Sequence, residues 1–367
     1  MTTALTQRLM TQSLTLTDSI QAYFEPFLQL LWPMWRADAF RTKVIEVRPE
    51  LAGVYTLVLK PSKRWQGFKA GQHIEIVVEH QGARVNRFFS ISSSPAYFQQ
   101  TGLIELSIRV QEKGRITPWL AGYKNNNRFN DYLSISAAQG DFTLLTNKQP
   151  QLWIAGGSGI TPFRSMLQQL KYRSITQDVH LLYYVQAADQ TLFKNELLEN
   201  AQALGSVKVT LLNDQEHGYL SKQHLQSHCD DIQSRQVFIC GPKPMIALAR
   251  TYIEELGVNK DQIHFEYFGA APIDLPRNFA SSSVVTFSRS TVTAEVNNEQ
   301  PKSLLEVAEE SGLRPVSGCR MGVCHQCVCQ KSSGRVLNTL TGAYSDSGAG
   351  EIQLCISVAC DDVVIEL

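Results

Sequence analysis

The chain has 367 residues, and its 34 Lys and Arg side chains balance its 34 Asp and Glu side chains. With 43% hydrophobic and 19% charged residues, its composition is that of an ordinary folded protein. This excludes a disordered chain, a collagen-like repeat and a generally basic nucleic-acid binder, so we expect no nucleic-acid partner. The zero net charge hides an asymmetry, because residues 1–150 carry 17 basic and 11 acidic side chains whereas residues 284–367 carry 6 and 10.

The N-terminal region shows no targeting signal. It lacks a basic segment followed by an apolar run, and no stretch approaches the ~20 apolar residues of a membrane-spanning helix, so we expect a cytoplasmic protein. Residues 1–41 are predicted to form a helical extension that contains an aromatic, proline-broken run, Phe24–Trp35. We interpret this run as a helix and turn packed on the next domain. The alternative is a peripheral contact with a partner or with the inner face of the membrane.

Residues 42–147 consist of short β-rich segments separated by Gly, Pro and Asn turns. The predicted strands are Val54–Leu59, His73–Val78, Leu103–Val110 and Tyr132–Ile135. Short strands with frequent turns are typical of an antiparallel barrel or sandwich.

Residues 148–269 alternate strands with helices, which predicts a parallel α/β sheet. The predicted strands are Gln151–Ala155, Val179–Val185, Val207–Leu212 and Val237–Cys240, and the predicted helices are Pro162–Lys171, Leu192–Ala203 and Lys243–Leu256.

Residues 270–283 are rich in Ala, Pro and Ser and are predicted to be a linker. The last domain, residues 284–367, begins with two predicted strands, Val284–Phe287 and Thr291–Val296, and a short helix near Ser303–Glu310.

Six of the eight cysteines lie in the last fifth of the chain. In a reducing compartment, clustered thiols indicate a metal site rather than disulfides. Cys319, Cys324 and Cys327 are spaced C-x4-C-x2-C, and Cys355 follows 28 positions later, which is the plant-type [2Fe–2S] spacing. A zinc site is the alternative, although zinc loops usually pair two C-x2-C knuckles and this chain has one. Cys329 could substitute for a neighbouring ligand.

A glycine loop connects the strand at Gln151–Ala155 to the following helix. Gly156, Gly157 and Gly159 would let the backbone approach a pyrophosphate at the helix N-terminus, next to Thr161. The loop departs from G-x-G-x-x-G, so a tight turn without a ligand is the alternative.

A second candidate element follows a later strand of the same domain. Cys240, Gly241 and Pro242 lie at the carboxyl end of the strand Val237–Cys240. Ligands of open α/β sheets collect at such strand ends.

These motifs, together with Arg87-Phe88-Phe89-Ser90, resemble the ferredoxin–NAD(P) reductase superfamily. More closely, the chain resembles members with a C-terminal plant-type ferredoxin, the reductase components that supply oxygenases and membrane fatty-acid desaturases. The resemblance covers about residues 42–367. It implies a multidomain fold with an antiparallel β-barrel flavin domain, an α/β parallel-sheet nucleotide domain and an α+β β-grasp ferredoxin domain.

The resemblance also implies flavin-site residues, with FAD favoured over FMN. Arg87 would meet the pyrophosphate, Phe89 would stack on the isoalloxazine in place of the usual tyrosine, and Ser90 would hydrogen-bond near the reactive nitrogen. Further residues implied at the FAD are Gly114 and Thr117 on the phosphates and Phe268 near the ring. Phe268 belongs to Glu266-Tyr-Phe-Gly269, which resembles the motif that closes the reductase module.

For the nicotinamide nucleotide, the resemblance implies binding by Gly156, Gly157, Gly159 and Thr161 and by Cys240–Pro242, with Cys240 near the hydride-donating ring. At the cluster, it implies that Cys319, Cys324, Cys327 and Cys355 are the ligands. His325 departs from the glycine that is common between the second and third ligands.

The segment Asn213-Asp214-Gln215-Glu216 stands where NADP-specific members commonly carry a cationic pair. Its carboxylates would repel a 2′-phosphate, and Asp214 could accept hydrogen bonds from a free ribose diol. We therefore expect NADH, with NADPH as the alternative.

The three modules suit one electron-transfer sequence. A hydride carries two electrons, a [2Fe–2S] cluster accepts one, and a flavin can exchange either. We expect electrons to pass from NADH to FAD, to the cluster and to a terminal acceptor, with Ser90, Cys240 and Phe268 at the reacting rings. The acceptor could be a fatty-acid desaturase, which the N-terminal extension favours, a Rieske oxygenase or a cytochrome P450. A non-catalytic cluster-binding redox sensor is the alternative from another class.

Overall fold

The structure is a computed structural model that describes residues 40–80, 83–112, 116–122, 132–267, 282–297, 301–318, 320, 322 and 325–367. The run Phe24–Trp35 and most of the predicted linker lie outside these residues. None of the described helices is both long and apolar enough to cross a bilayer. The described residues form two compact units: the first reaches Glu266 but leaves out Val85–Arg87, and the second comprises Val85–Arg87 together with the chain from Tyr267 onward.

The first unit opens with an antiparallel sheet of six strands. They are β1 (Phe40–Leu51), β2 (Val54–Pro61), β3 (His73–His80), β4 (Ala83–Ser90), β5 (Ile104–Arg109) and β6 (Tyr132–Ile135), with helices α1 (Pro95–Thr101) and α2 (Thr117–Ala121). Their order is β4-β3-β6-β1-β2-β5, and β1 pairs antiparallel with both β2 and β6. The four predicted strands are present. The sequence did not predict β1, whose buried positions are separated by charged ones.

The second sheet of this unit is parallel. It contains β7 (Gln151–Gly156), β8 (Val179–Val185), β9 (Val207–Asn213), β10 (Gln236–Gly241) and β11 (Ile263–Tyr267), with helices α3 (Ile160–Arg173), α4 (Lys194–Leu204), α5 (Asp214–His217), α6 (Lys222–His228) and α7 (Lys243–Glu255). Strands β7 and β8 are buried along their whole lengths, as expected for a parallel sheet with both faces covered.

The strand order of the parallel sheet is β11-β10-β7-β8-β9. The chain runs outward from β7 to β9 and then returns to the other side of β7, where β10 pairs with it in parallel. The direction of winding therefore reverses between β7 and β10. Ligands of open α/β sheets bind outside the carboxyl ends of the strands at such a point.

The described residues of the second unit form a mixed sheet with one α-helix. Its elements are β12 (Ser282–Phe287), β13 (Val292–Asn297), α8 (Leu304–Glu310), β14 (Val328–Ser333), β15 (Val336–Asn338), β16 (Gly350–Gln353), β17 (Ser357–Ala359) and β18 (Val363–Ile365). The main sheet has the order β13-β12-β18-β14-β16, in which β12 and β18 are parallel. Ser303 and Glu306 form a capping box at the start of α8, and the helix buries Leu304 and Leu305. The predicted α+β class is confirmed.

Candidate cofactor sites

The two predicted nucleotide-binding loops lie side by side. Ala155 of β7 is paired with Cys240 of β10, so both strands deliver their loops to the same edge. A Cβ at Gly159 would overlap the carbonyl group of Cys240, and a Cβ at Gly156 would overlap the Met245 side chain. A Cβ at Gly241 would approach the Gly156 Cα to 3.1 Å. These glycines are therefore required by the contact of one loop with the other.

Gly157 differs from the other glycines of the loop. Its φ is +53°, a left-handed conformation that favours glycine, and a Cβ there would meet nothing within 4 Å. Its carbonyl accepts a hydrogen bond from the Tyr183 hydroxyl at 3.0 Å. Burial raises the pKa of Tyr183, so the phenol stays protonated and can donate. Tyr183, which the sequence did not single out, therefore holds the loop in place through this hydrogen bond.

Thr161 lies in the first turn of α3 and is buried. Its hydroxyl donates to the carbonyl of Ser158 at 3.0 Å, which closes the turn between loop and helix. The hydroxyl oxygen keeps its acceptor capacity.

Ser90 ends strand β4 and is 4% exposed. Its Oγ has no hydrogen-bond partner among the described residues. Buried hydroxyl groups are nearly always hydrogen-bonded, so an unpartnered one at a predicted flavin position fits a bound group that supplies the missing partner. Phe89 and Arg87, on the same strand, are half-buried, and Arg87 Nη1 donates to the Asn86 carbonyl at 2.7 Å.

Two predicted FAD residues, Gly114 and Phe268, lie outside the described residues. Thr117 begins α2, where its hydroxyl accepts a hydrogen bond from the Gln111 amide at 2.8 Å. The Tyr55 hydroxyl donates to the Thr117 carbonyl at 2.9 Å. Thr117 is therefore held on both its side chain and its backbone.

Two further residues, His73 and Glu266, lie close to this region. His73 Nδ1 lies 2.8 Å from Glu266 Oε1. The other carboxylate oxygen, Oε2, is buried and has no hydrogen-bond partner among the described residues. Gly140 has a φ of +103°, and a Cβ there would lie 2.9 Å from the His73 ring. Glycine at position 140 therefore leaves space for the side chains of His73 and Glu266.

The His73–Glu266 pair connects the predicted flavin and nicotinamide residues. The Ile91 amide donates to the Gln72 carbonyl at 2.9 Å, which places Ser90 beside His73. Burial, and then the negative charge of Glu266, raise the pKa of the fully buried Cys240 thiol well above its usual value. Cys240 is therefore a neutral thiol at neutral pH. Glu266 stands two residues before Phe268 in a motif that the sequence did indicate, whereas nothing marked His73.

Asp214 lies at the carboxyl end of β9, as the first residue of α5. Asn213 caps this short helix: its side-chain oxygen accepts from the Glu216 amide at 2.9 Å, and its side-chain nitrogen donates to Glu216 Oε2 at 3.0 Å. Glu216 is thus turned back onto Asn213. Burial raises the pKa of Asp214, whose carboxylate has no such partner among the described residues.

Two of the four predicted cluster ligands are described, Cys327 and Cys355. Both are 3% exposed, and the Cys355 amide donates to the Cys327 Sγ with 3.5 Å between nitrogen and sulfur. An amide directed at sulfur stabilises a thiolate, which fits the predicted ligand role. Cys319 and Cys324 lie outside the described residues.

The loop before Cys327 is held by Gln353. The Gln353 side-chain amide donates to the Gly322 carbonyl and lies 3.0 Å from His325 Nδ1. His325 has a φ of +55°, in the left-handed region that glycine enters at little cost. This conformation explains why a glycine is suited to the position where the present chain has histidine.

Three family models match the chain in succession. An oxidoreductase FAD-binding domain matches residues 46–144, an oxidoreductase NAD-binding domain matches residues 153–251, and a 2Fe-2S iron-sulfur cluster binding domain matches residues 286–360.

Several known proteins align with most of this chain and with most of their own length. An NADPH oxidoreductase of Mycobacterium tuberculosis is 28% identical over 94% of this chain and 88% of its own length. A glycine betaine monooxygenase reductase subunit of Chromohalobacter salexigens is 24% identical over 94% of this chain and 99% of its own length. The solved structure of phthalate dioxygenase reductase has the same fold, with a TM-score of 0.57 at 22% identity over 90% of this chain and 98% of that one.

The predicted cofactors, fold class and enzyme class are therefore confirmed. The chain is an electron-transfer reductase with oxidoreductase FAD-binding and NAD-binding domains and a C-terminal [2Fe–2S] cluster-binding domain, as its resemblance to the ferredoxin–NAD(P) reductase superfamily implies.

Proposed function

We propose that this reductase takes electrons from NADH and delivers them to a terminal oxygenase. The observation that supports this best is the succession of the three domains, which similar proteins share. Several of these, including the Chromohalobacter salexigens protein and a phthalate 4,5-dioxygenase protein of Pseudomonas putida, are named reductase subunits of oxygenases. A fatty-acid desaturase is the alternative electron acceptor. The cytoplasmic location of the protein stays a prediction.

The bound groups supply the redox chemistry: the nicotinamide gives a hydride, the flavin exchanges one or two electrons, and the cluster carries one. The chain would hold and orient them. Ser90 would donate its hydroxyl, which has no hydrogen-bond partner in the described part of the chain, to the flavin ring, and Phe89 would offer an apolar face for stacking. Arg87, Gly114 and Thr117 would bind the FAD phosphates. Phe268 would cover the ring.

At the nucleotide side, Gly156, Gly157, Gly159 and Thr161 would bind NADH together with Gly241 and Pro242. Cys240 would contact the nicotinamide as a neutral thiol, because its raised pKa prevents it from acting as a competing nucleophile. Glu266, held by His73, would stand beside that contact. Asp214 would accept hydrogen bonds from the ribose diol.

In the second unit, Cys319, Cys324, Cys327 and Cys355 would ligate the cluster. The hydrogen bond from the Cys355 amide to Cys327 would stabilise the ligating sulfur. Gln353 would restrain the ligand loop through Gly322 and His325.

The test begins with the purified holoprotein. We expect flavin and iron–sulfur absorption and reduction by NADH, whereas a colourless zinc protein would refute the proposal. The tagged holoprotein is then mixed with soluble and membrane fractions, and NADH-driven oxygenase and desaturase turnover are assayed separately. Hydroxylation by a captured oxygenase supports the proposed acceptor. Turnover with a membrane desaturase alone would overturn that part of the proposal.

A further inference from the structure

Helix α3 connects the nucleotide loop with the segment that follows Ser90. It begins at Ile160, directly after the turn Gly157–Gly159 in the nucleotide loop. Its side chains also bond the segment 92–96, which begins two residues after Ser90. The bonds are Arg164 Nη1 to Ser92 O at 3.3 Å, Ser165 Oγ to Ser93 O at 2.6 Å, Ser94 N to Gln168 Oε1 at 2.9 Å and Ala96 N to Gln169 Oε1 at 3.0 Å.

Arg164 is the charged centre of this contact. It is 6% exposed and reaches Glu105 Oε2 of strand β5 at 2.6 Å and Glu196 Oε2 of helix α4 at 2.8 Å. Its guanidinium also lies 4.2 Å from the centre of the Phe193 ring. Glu105, 5% exposed, is held from its other side by Arg48 Nη2 of β1 at 2.9 Å.

The network crosses from the antiparallel sheet to the parallel sheet. Glu105 and Arg48 belong to the antiparallel sheet, whereas Arg164 and Glu196 lie on helices of the parallel one. A planar guanidinium that bonds carboxylates holds their direction as well as their distance, which an apolar contact of similar area does not. Removing one partner of a buried pair leaves an uncompensated charge. A shift of α3 along the antiparallel sheet would separate Arg164 from Glu105, so the ion pair opposes such a shift.

We infer that Arg164 is a positioning residue for hydride transfer. It holds α3, with the nucleotide loop at its N-terminus, against the segment that follows Ser90, and thereby sets the separation of the nicotinamide from the flavin ring. This inference rests on the proposed function. Hydride transfer depends steeply on that separation, because a misplacement of about 1 Å can slow an enzymatic step about 100-fold.

The test compares Arg164→Met with Arg235→Met in the holoprotein. Arg235 is a matched control, because it too bridges two carboxylates, Asp178 at 3.0 Å and Asp231 at 2.7 Å. It bonds the carbonyl of Gln151, at the start of β7 and so at the opposite edge from the nucleotide loop. Its side chain is 11% exposed, against 7% for Arg164.

Flavin reduction is followed in single turnovers at saturating NADH, together with the long-wavelength absorption of the flavin–nicotinamide complex. We expect Arg164→Met to retain FAD and a KM for NADH within about threefold of the wild type. Its reduction rate should fall about tenfold or more, with a weaker long-wavelength band. Arg235→Met should reduce its flavin within about twofold of the wild-type rate.

A wild-type rate in Arg164→Met, or an equal loss in Arg235→Met, would overturn the inference. If Arg164→Met does not fold, Arg164→Lys keeps the positive charge but lacks the planar guanidinium. A wild-type rate of flavin reduction in Arg164→Lys would also overturn the inference. A wild-type protein that neither NADH nor NADPH reduces would instead refute the proposed function.

Discussion

His73 Nδ1 and Glu266 Oε1 lie 2.8 Å apart, and this contact joins the first residue of β3 to the last strand of the parallel sheet. The two side chains are 14% and 12% exposed, and Glu266 Oε2 has no hydrogen-bond partner among the described residues. Within the described residues, His73 is therefore the hydrogen-bond partner of this largely buried carboxylate.

Replacing His73 with Phe should leave the Glu266 carboxylate buried without that partner. We expect the free energy of unfolding to fall by about 1–3 kcal/mol. The double variant with Glu266→Gln should recover part of the loss, because no uncompensated charge remains. Urea denaturation of the holoprotein measures both, with His264→Phe as the control, since His264 Nε2 lies 2.9 Å from the neutral Gln236 side chain. Strictly additive losses would contradict a coupled pair.

The Glu105 carboxyl should make stability depend on acid pH. Burial alone would raise its pKa, but the charges and hydrogen bonds of Arg164 and Arg48 outweigh burial and hold the pKa below the usual value of 4.5. Folding thus favours the ionised form, so its contribution is complete above about pH 4.5 and is lost as pH falls through the lowered pKa.

Unfolding of the wild type and Glu105→Gln from pH 7 to pH 3 measures this contribution. At pH 7 the variant should be less stable by about 3–5 kcal/mol, because Arg164 and Arg48 lose a buried counter-charge. The difference should narrow below pH 4.5. A difference that stays constant over the whole range would show that ionisation of Glu105 has no part in it.

Cys324→Ser should separate the two electron-transfer steps. We expect NADH oxidation with ferricyanide to persist, because ferricyanide accepts directly from the flavin, and transfer to cluster-dependent one-electron acceptors to vanish. Cys329→Ser is the control, since the Cys329 thiol donates to the Glu366 carbonyl at 3.5 Å and lies outside the ligand spacing. An equal loss of both activities in a folded Cys324→Ser protein would refute the order of transfer.

Asp214→Ser should reduce the preference for NADH over NADPH about tenfold in kcat/KM. The expected loss corresponds to the lower end of the range for one charged hydrogen bond, about 1.5–3 kcal/mol, because the ribose diol is partly exposed to water when bound at a strand end. Glu216→Gln is the matched control, because Glu216 is bound to Asn213 and should not reach the nucleotide. A clear NADPH preference in the wild type would overturn the assignment of the cofactor.

The sequence determined the order of the three domains and the four-cysteine spacing, because motifs of contiguous residues carry these features. It also located the ends of two parallel strands, at Ala155 and Cys240, to within one residue of the observed ends, since buried parallel strands appear as continuous apolar runs.

Only the tertiary structure revealed the paired residues that lie near Ser90 and Cys240 within the first unit. His73 and Glu266 are 193 positions apart, and Arg164 and Glu105 are 59 apart. No local pattern links such residues, because their contact depends on how two sheets pack. The loop glycines are a second example. Their positions are visible in the sequence, but only the structure shows that a side chain at Gly156 or Gly159 would overlap the loop that follows the neighbouring strand. A buried polar group forms its hydrogen bond with whichever segment of the chain the fold brings next to it, so the tertiary structure decides its partner.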